Sequence, residues 1–194
     1  MNNTMYGGDN EKMPSAATEI EVKVLEINRA DVEARLRALG AKMVFDGRIH
    51  ALYYDLPDQH LKRSGLTLRL RMEGRKAVLT LKTDISNAAA KEREELQTEI
   101  NDFAVMQQIL ENMGFSAWLA MKKHRTSYEL PDAHVEIDRY QDDFSYIPEF
   151  LEIEGKDTHT VYRVAEALGF RTHDCKPWDA VELAAYYRDR NRMP

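Results

Sequence analysis

Apolar and polar residues alternate with a period of two over much of this chain, and where the alternation stops it gives way to helical spacing. In Glu19-Ile20-Glu21-Val22-Lys23-Val24 the aliphatic residues share one face of an extended strand, and Glu19, Glu21 and Lys23 share the other. Leu66, Leu68 and Leu70 oppose Thr67, Arg69 and Arg71 in the same way. The segment Ala77–Lys82 puts Thr80 and Lys82 on its polar side. Arg93–Ile100 puts Arg93, Glu95, Gln97 and Glu99 there, and Met121–Leu130 puts Lys123, Arg125 and Ser127 there. Val135–Asp138 and Phe150–Glu154 alternate carboxylate with aliphatic, and Met43–Asp55 also reads as extended. Helices are predicted after Asn28 (Val32, Leu36 and Leu39, stopped by Gly40) and after Asp102 (Phe103, Met106, Ile109, Leu110 and Met113, closed by Gly114). Two more run from Thr158 to Leu168-Gly169 and from the Lys176-Pro177-Trp178-Asp179 stretch to about Arg190. Residues 1–17 lack periodicity and read as a disordered leader, 18–190 as a single domain and 191–194 as a tail.

Any one polar face of this kind also suits a solvated edge strand laced with charge. Here, however, the charges sort by strand. Carboxylates pair at i, i+2 in Glu19/Glu21, Glu136/Asp138 and Glu152/Glu154, and bases pair likewise in Arg69/Arg71 and Lys123/Arg125. Like charges so close repel, which makes such pairing a poor way to decorate a solvent face. It is sensible if the charged faces look inward at one another and at a ligand. About eight strands can close around an interior wide enough for side chains or one small guest. The expected fold is therefore α+β: a closed eight-stranded antiparallel barrel with a charged lumen, its aliphatic outer face covered by helices. Seven inward carboxylates (Glu19, Glu21, Glu95, Glu136, Asp138, Glu152, Glu154) stand against eight bases (Lys23, Arg69, Arg71, Lys82, Arg93, Lys123, Arg125, Lys176). One or two divalent cations would make that lumen positive and suited to a polyphosphate, whereas empty it would be costly to bury.

Composition narrows the setting. The 194 residues are 43% hydrophobic and 31% charged, as expected of a soluble globular domain. A net charge of −6 argues against a general nucleic-acid binder, and no apolar run suggests a membrane span or a signal peptide. The single cysteine, Cys175, precludes an internal disulfide and makes a reducing cytoplasm the expected location. There is no Cys/His grouping for zinc.

Taken in order, these residues resemble the CYTH, or triphosphate tunnel metalloenzyme, superfamily. Glu19-Ile20-Glu21-Val22-Lys23 is similar to its opening ExExK signature. Tyr53-Tyr54-Asp55, Leu68–Arg71, Leu79–Lys82, Arg93 with Glu95, Lys123-His124-Arg125, Glu136 with Asp138, Glu152-Ile153-Glu154 and a terminal Lys176 follow in the family's order over about residues 18–190. One departure is Gln97, where relatives usually carry a second glutamate two residues past Glu95. The resemblance implies an enzyme that processes a small-molecule triphosphate with Mg²⁺ or Mn²⁺, as a monomer or homodimer. Arg69, Arg71, Lys82, Arg93, Lys123, Arg125, Lys23 and Lys176 are the expected phosphate ligands, and Glu19, Glu21, Glu152 and Glu154 the expected metal ligands. Glu95, Glu136 or Asp138 would hold a second metal or act as base, with Lys23 completing the clamp or steadying the carboxylates. Hydrolysis of tripolyphosphate or of a nucleoside or thiamine triphosphate is the first reading. A class IV adenylate cyclase, making cyclic AMP and pyrophosphate from ATP, is the second. A non-catalytic polyphosphate-binding module is the third, favoured mildly by Gln97.

Overall fold

The computed structural model describes residues 17–86 and 91–190. The expected leader and tail lie outside them, apart from Ala17, which opens the first strand. Eight long strands form where the period-two pattern runs: β1 (Ala17–Val24), β2 (Lys42–Asp55), β3 (Leu66–Glu73), β4 (Lys76–Ser86), β5 (Lys91–Ile100), β6 (Ser116–Leu130), β7 (Ala133–Tyr140) and β8 (Phe150–Gly155). All pair antiparallel, in the order β5-β4-β3-β2-β6-β7-β8-β1, and β1 returns to β5 through Ala17↔Glu95 to Glu21↔Lys91. The sheet is thus a closed eight-stranded barrel. Closure pairs the edge strands and leaves no long ladder open to another chain. A two-residue strand, β9 (Cys175–Lys176), lies beside the second half of β1.

The helices end where local chemistry predicts. Asn28 Oδ1 accepts the Asp31 amide at the start of α1 (Arg29–Ala38), and Asp102 caps α3 (Phe103–Asn112) through Val105 N. Asp157, one residue before the predicted start, caps α4 (Thr158–Ala167). Gly40, Gly114 and Gly169 follow these three helices with positive φ. The single turn α2 (His60–Arg63) was not predicted. Asp55 organises it, accepting the Leu56, Leu61 and Lys62 amides at 2.7, 2.9 and 3.1 Å. That is a structural task for Asp55. Helix α5 (Ala180–Arg190) closes the described chain.

Most of the core lies outside the barrel wall. Ile20, Val22 and Val24 of β1, Val135 and Ile137 of β7 and Leu151 and Ile153 of β8 pack under Val32 and Leu36 of α1 and Val161 and Val164 of α4. Each buried aliphatic of this kind contributes about 1.5–3 kcal/mol. On the outside α3 covers Leu52, Tyr54 and Leu70 through Leu110, whereas Met121, Tyr140 and Phe150 share the strand faces of Lys123, Asp138 and Glu152 and pack on Leu183 and Tyr187 of α5. With apolar residues committed outward, alternation sends the charged ones inward.

Three strand boundaries differ from those predicted. β6 begins at Ser116, five residues before Met121, because Ser116-Ala117-Trp118-Leu119-Ala120 has no alternation to read. β4 continues four residues past Lys82 to Ser86, and β5 starts two residues before Arg93 at Lys91.

Candidate functional site

A cavity of about 200 Å³ runs inside the barrel, and charged side chains dominate its lining. It brings together Glu21 and Lys23 from β1, Arg69 and Arg71 from β3, Lys82 from β4, Arg93 and Glu95 from β5, Lys123 and Arg125 from β6, Glu136 from β7, and Glu152 and Glu154 from β8. The strand order divides this lining by sign. β7, β8 and β1 are neighbours and carry most of the carboxylates. β3 lies four strands from β8 in either direction, so Arg69 and Arg71 face Glu152 and Glu154 across the lumen. β4 lies likewise opposite β7, setting Lys82 against Glu136.

On the acidic wall, like charges sit directly opposite one another in the ladder. Glu21 pairs in register with Glu154, and Glu136 with Glu152. Such cross-strand pairs are unfavourable unless cations intervene. Lys23 serves part of this need, its Nζ lying 3.2 Å from Glu21 and 3.0 Å from Glu152. Burial works against the Lys23 ammonium, but Glu152 and Glu21 outweigh it and hold its pKa well above the ordinary value. Arg125 binds Asp138 with both ends of its fork, Nε 2.7 Å from Oδ1 and Nη2 2.6 Å from Oδ2, and pairs with Glu136. Lys123 Nζ adds a contact of 2.6 Å to Asp138.

The titration behaviour follows from this crowding. Burial raises the Glu136 carboxyl to about 7; Arg125 opposes the shift, while Glu152 and Asp138 add to it. Burial also acts on Glu152 and Asp138, but Lys23 and Arg125 for the first, and Arg125 and Lys123 for the second, hold them below the usual carboxylate range. One oxygen from each of Glu136, Asp138 and Glu152 falls within 4.8 Å of the others. A cluster of carboxylate oxygens is the donor set that hard divalent cations take, so the residues present fit Mg²⁺ or Mn²⁺.

The basic wall is less neutralised. Arg71 Nη2 meets Glu73 at 3.1 Å, yet burial and then Arg69 lower its pKa to about 10. The Nε atoms of Arg69 and Arg71 are buried and have no hydrogen-bond partner among the described residues. Lys82 pairs with Glu95. Burial and Arg125 pull the Lys123 ammonium below its ordinary value, and Asp138 offsets this only in part.

Two predicted site residues are absent from the lining, and the side chain of a third lies outside the described residues. Asp138 is completely buried behind Arg125 and Lys123, not among the groups lining the cavity. Its oxygens are engaged by those two cations, which it holds in place beside the Glu136 and Glu152 carboxylates. Lys176 is also absent from the lining: it pairs in register with Lys23, but its Nζ donates to the His173 carbonyl at 2.9 Å. Glu19 pairs in register with Arg93 in the β1–β5 ladder, but its side chain is outside the described residues.

The sequence pattern did not single out other parts of the lining. Tyr53, Trp118 and Tyr140 add aromatic surface, and Asp179, Ala180 and Val181 bring the start of α5 to the cavity. Arg93 ties that helix to the barrel, Nε 2.9 Å from Asp84 and Nη2 3.3 Å from Asp179. Asp179 also accepts the Val181 and Glu182 amides, while Glu182 accepts the Asp179 amide. This reciprocal cap was legible as Asp179-x-x-Glu182. Gln97 lines the cavity, and its side-chain oxygen lies 3.3 Å from Thr80 Oγ1.

Residues 17–173 match the CYTH domain family model. A protein of Methanocaldococcus jannaschii, provisionally named an adenylate cyclase, is 29% identical over 136 residues, covering 70% of this chain and 75% of its own length. The solved structure of the PH1012 protein from Pyrococcus horikoshii superposes with a TM-score of 0.72 at 27% identity, covering 85% of this chain and 98% of that one. HpAC1 from Hippeastrum, named provisionally as an adenylyl cyclase and described as having a dominant triphosphatase activity, has the same fold (TM-score 0.64, 18% identity, 91% and 97% covered).

Proposed function

The chain belongs to the CYTH domain family, and from that premise and the charge layout of its lumen we propose that it is a divalent-metal-dependent triphosphate phosphohydrolase. The observation that carries this reading is the Arg69/Arg71 pair in the cavity lining, whose Nε donors have no hydrogen-bond partner among the described residues and which stands across the lumen from an acidic wall. Two adjacent guanidiniums with spare donors are matched by phosphate oxygens, which accept from Arg in a planar, two-pronged manner.

In this mechanism Arg69 and Arg71 hold the phosphate chain from one side, and Lys123 and Arg125 hold it from another. Glu152, with Glu21 and Glu154 beside it, would hold the cation. Mg²⁺ or Mn²⁺ bound there would neutralise charge on the phosphate oxygens and lower the cost of the transition state. Glu136 is the proposed base: with its carboxyl near 7 it can take a proton from a water at working pH. Glu95, held by Lys82, is less available for that task. Asp138 keeps the Arg125 fork and the Lys123 ammonium in position. Lys23 keeps Glu21 and Glu152 from repelling each other before the cation binds.

A second reading, cyclisation of ATP, is supported by the name given to the Methanocaldococcus jannaschii relative. It requires the ribose hydroxyl to lie in line with the α-phosphate. Incubation with ATP or tripolyphosphate plus Mg²⁺ or Mn²⁺, followed by product identification, separates the readings. Orthophosphate is expected. Pyrophosphate with cyclic AMP would replace hydrolase by cyclase, and tight binding without turnover would leave a polyphosphate-binding module.

A further inference from the structure

The lumen is charged almost throughout, but one sector of its lining is apolar and aromatic, and a backbone irregularity puts it there. In the β2–β6 ladder Tyr53 pairs with Leu119 and Tyr54 with Ala117, so Trp118 is the extra residue of a β-bulge. Simple alternation from Arg125 and Lys123 through Met121 and Leu119 would turn Trp118 outward. The bulge breaks that alternation, as bulges beside functional sites do when they re-aim a side chain. Trp118 consequently lines the same cavity as Arg69 and Arg71.

Its ring is half available. Trp118 is 50% exposed and touches Tyr53 at a tilted angle of 54°, with centroids 6.2 Å apart, so a face of the indole is open. Tyr140, by contrast, is buried, stacked on Phe150 and overlain by Lys123. Val181, at the start of α5, is the other exposed apolar group in the lining. Tyr53 is the ladder partner of Arg69. The open indole is therefore one aromatic ring away from the guanidinium expected to grip phosphate.

We propose that Trp118 and Val181 form a subsite for a planar heteroaromatic ring, so that the substrate is a triphosphate ester of the nucleoside or thiamine type and not bare tripolyphosphate. This rests on the triphosphate reading of the lumen. Phosphates occupy the Arg69/Arg71 wall, and the ring stacks on the indole at the bulge. Stacking of a base on an aromatic side chain contributes about 1–3 kcal/mol, which corresponds to a roughly 5- to 150-fold change in affinity.

The sequence has two tryptophans, Trp118 and Trp178, and the latter packs on Tyr186. In a Trp178→Phe background, with Mg²⁺ in fixed excess, Trp118 fluorescence is titrated with ATP, thiamine triphosphate and tripolyphosphate. Quenching by at least one ring-bearing ligand, and not by tripolyphosphate, is expected, and the one that quenches identifies the ring. In the wild-type background, Trp118→Ala should weaken binding of that ligand roughly 5- to 150-fold and leave tripolyphosphate within about twofold, while Trp118→Phe retains most of the affinity. Equal losses for both ligands, no loss for either, or no selective quenching overturns the subsite. If tripolyphosphate still binds and turns over in that case, the hydrolase reading survives alone. If no triphosphate binds at all, both fail.

Discussion

Arg125 and Asp138 meet fork to fork at 2.7 and 2.6 Å in the wall of the lumen, and Asp138 has no exposed surface at all. The carboxylate is thus the fixed point on which one cavity-lining guanidinium and the Lys123 ammonium are hung. Breaking a buried pair from one side costs about 3–5 kcal/mol, because the other charge is left uncompensated. Asp138→Asn should lower the melting temperature by about 6–20 °C for a chain of this size, measured by thermal circular dichroism. An unchanged melt would mean that Arg125 finds another counter-ion.

Arg69 should respond in the opposite sense. Its buried Nε has no partner, and it helps to lower the pKa of Arg71 beside it. Arg69→Gln removes one of two adjacent cations, so the ligand-free protein should melt no lower than the wild type. Triphosphate turnover should still fall: a hydrogen bond to a charged group contributes about 1.5–3 kcal/mol, or roughly 10- to 150-fold in kcat/KM. Loss of stability together with activity would mark Arg69 as a structural residue instead.

Glu136 sets a pH dependence whose sign is fixed. Its carboxyl titrates at about 7 in the folded state, above the ordinary glutamate value of about 4.3. Between those values the folded state holds the proton more tightly than the unfolded one, so this contribution is full below about 4 and is lost as pH rises through about 7. Glu152 and Asp138, held low, act in the opposite sense, and their contribution is lost only as pH falls below the usual carboxylate range. Metal-free wild-type protein should therefore lose stability between about pH 5 and 8, by an amount on the order of 3 kcal/mol for Glu136. Glu136→Gln, which mimics the neutral acid, should match the wild type at the low end and exceed it at the high end. Parallel melting curves for the two proteins across that range would contradict the assignment.

Much of this lumen was legible because one physical rule governs it. With Ile20, Val22 and Val24 committed to the helices, Glu21 and Lys23 had to face inward, and the same holds strand by strand for Arg69, Lys82, Arg125 and Glu152. The rule fails where alternation fails. Trp118 lies in a stretch without a period and reaches the cavity through a bulge, which composition does not signal. Depth is equally invisible: Glu136 and Asp138 share a face, yet one lines the cavity and the other lies behind it, a difference set by barrel curvature and by the Arg125 fork. Lys176 pairs in register with Lys23, and only its bond to the His173 carbonyl, a local backbone contact without a sequence signal, keeps its Nζ away from the lining.

The facing pairs Glu21/Glu154 and Glu136/Glu152 make the last prediction, on metal removal. Repulsion across these pairs is relieved by Lys23 and Arg125 only in part, so a divalent cation should stabilise the fold without any substrate. At a concentration about 100 times its dissociation constant, a ligand that binds only the folded state adds about 2.7 kcal/mol, equivalent to a rise of about 5–11 °C in melting temperature. Mg²⁺ or Mn²⁺ should produce this shift in protein stripped with EDTA, and Ca²⁺ at the same concentration tests how strictly the site selects for size. Glu152→Gln should abolish most of the shift, and Glu21→Gln should reduce both the shift and metal-dependent turnover. Glu73→Gln, on the basic side beside Arg71, should leave the metal response intact. A cation shift that survives Glu152→Gln unchanged would move the metal away from the acidic wall.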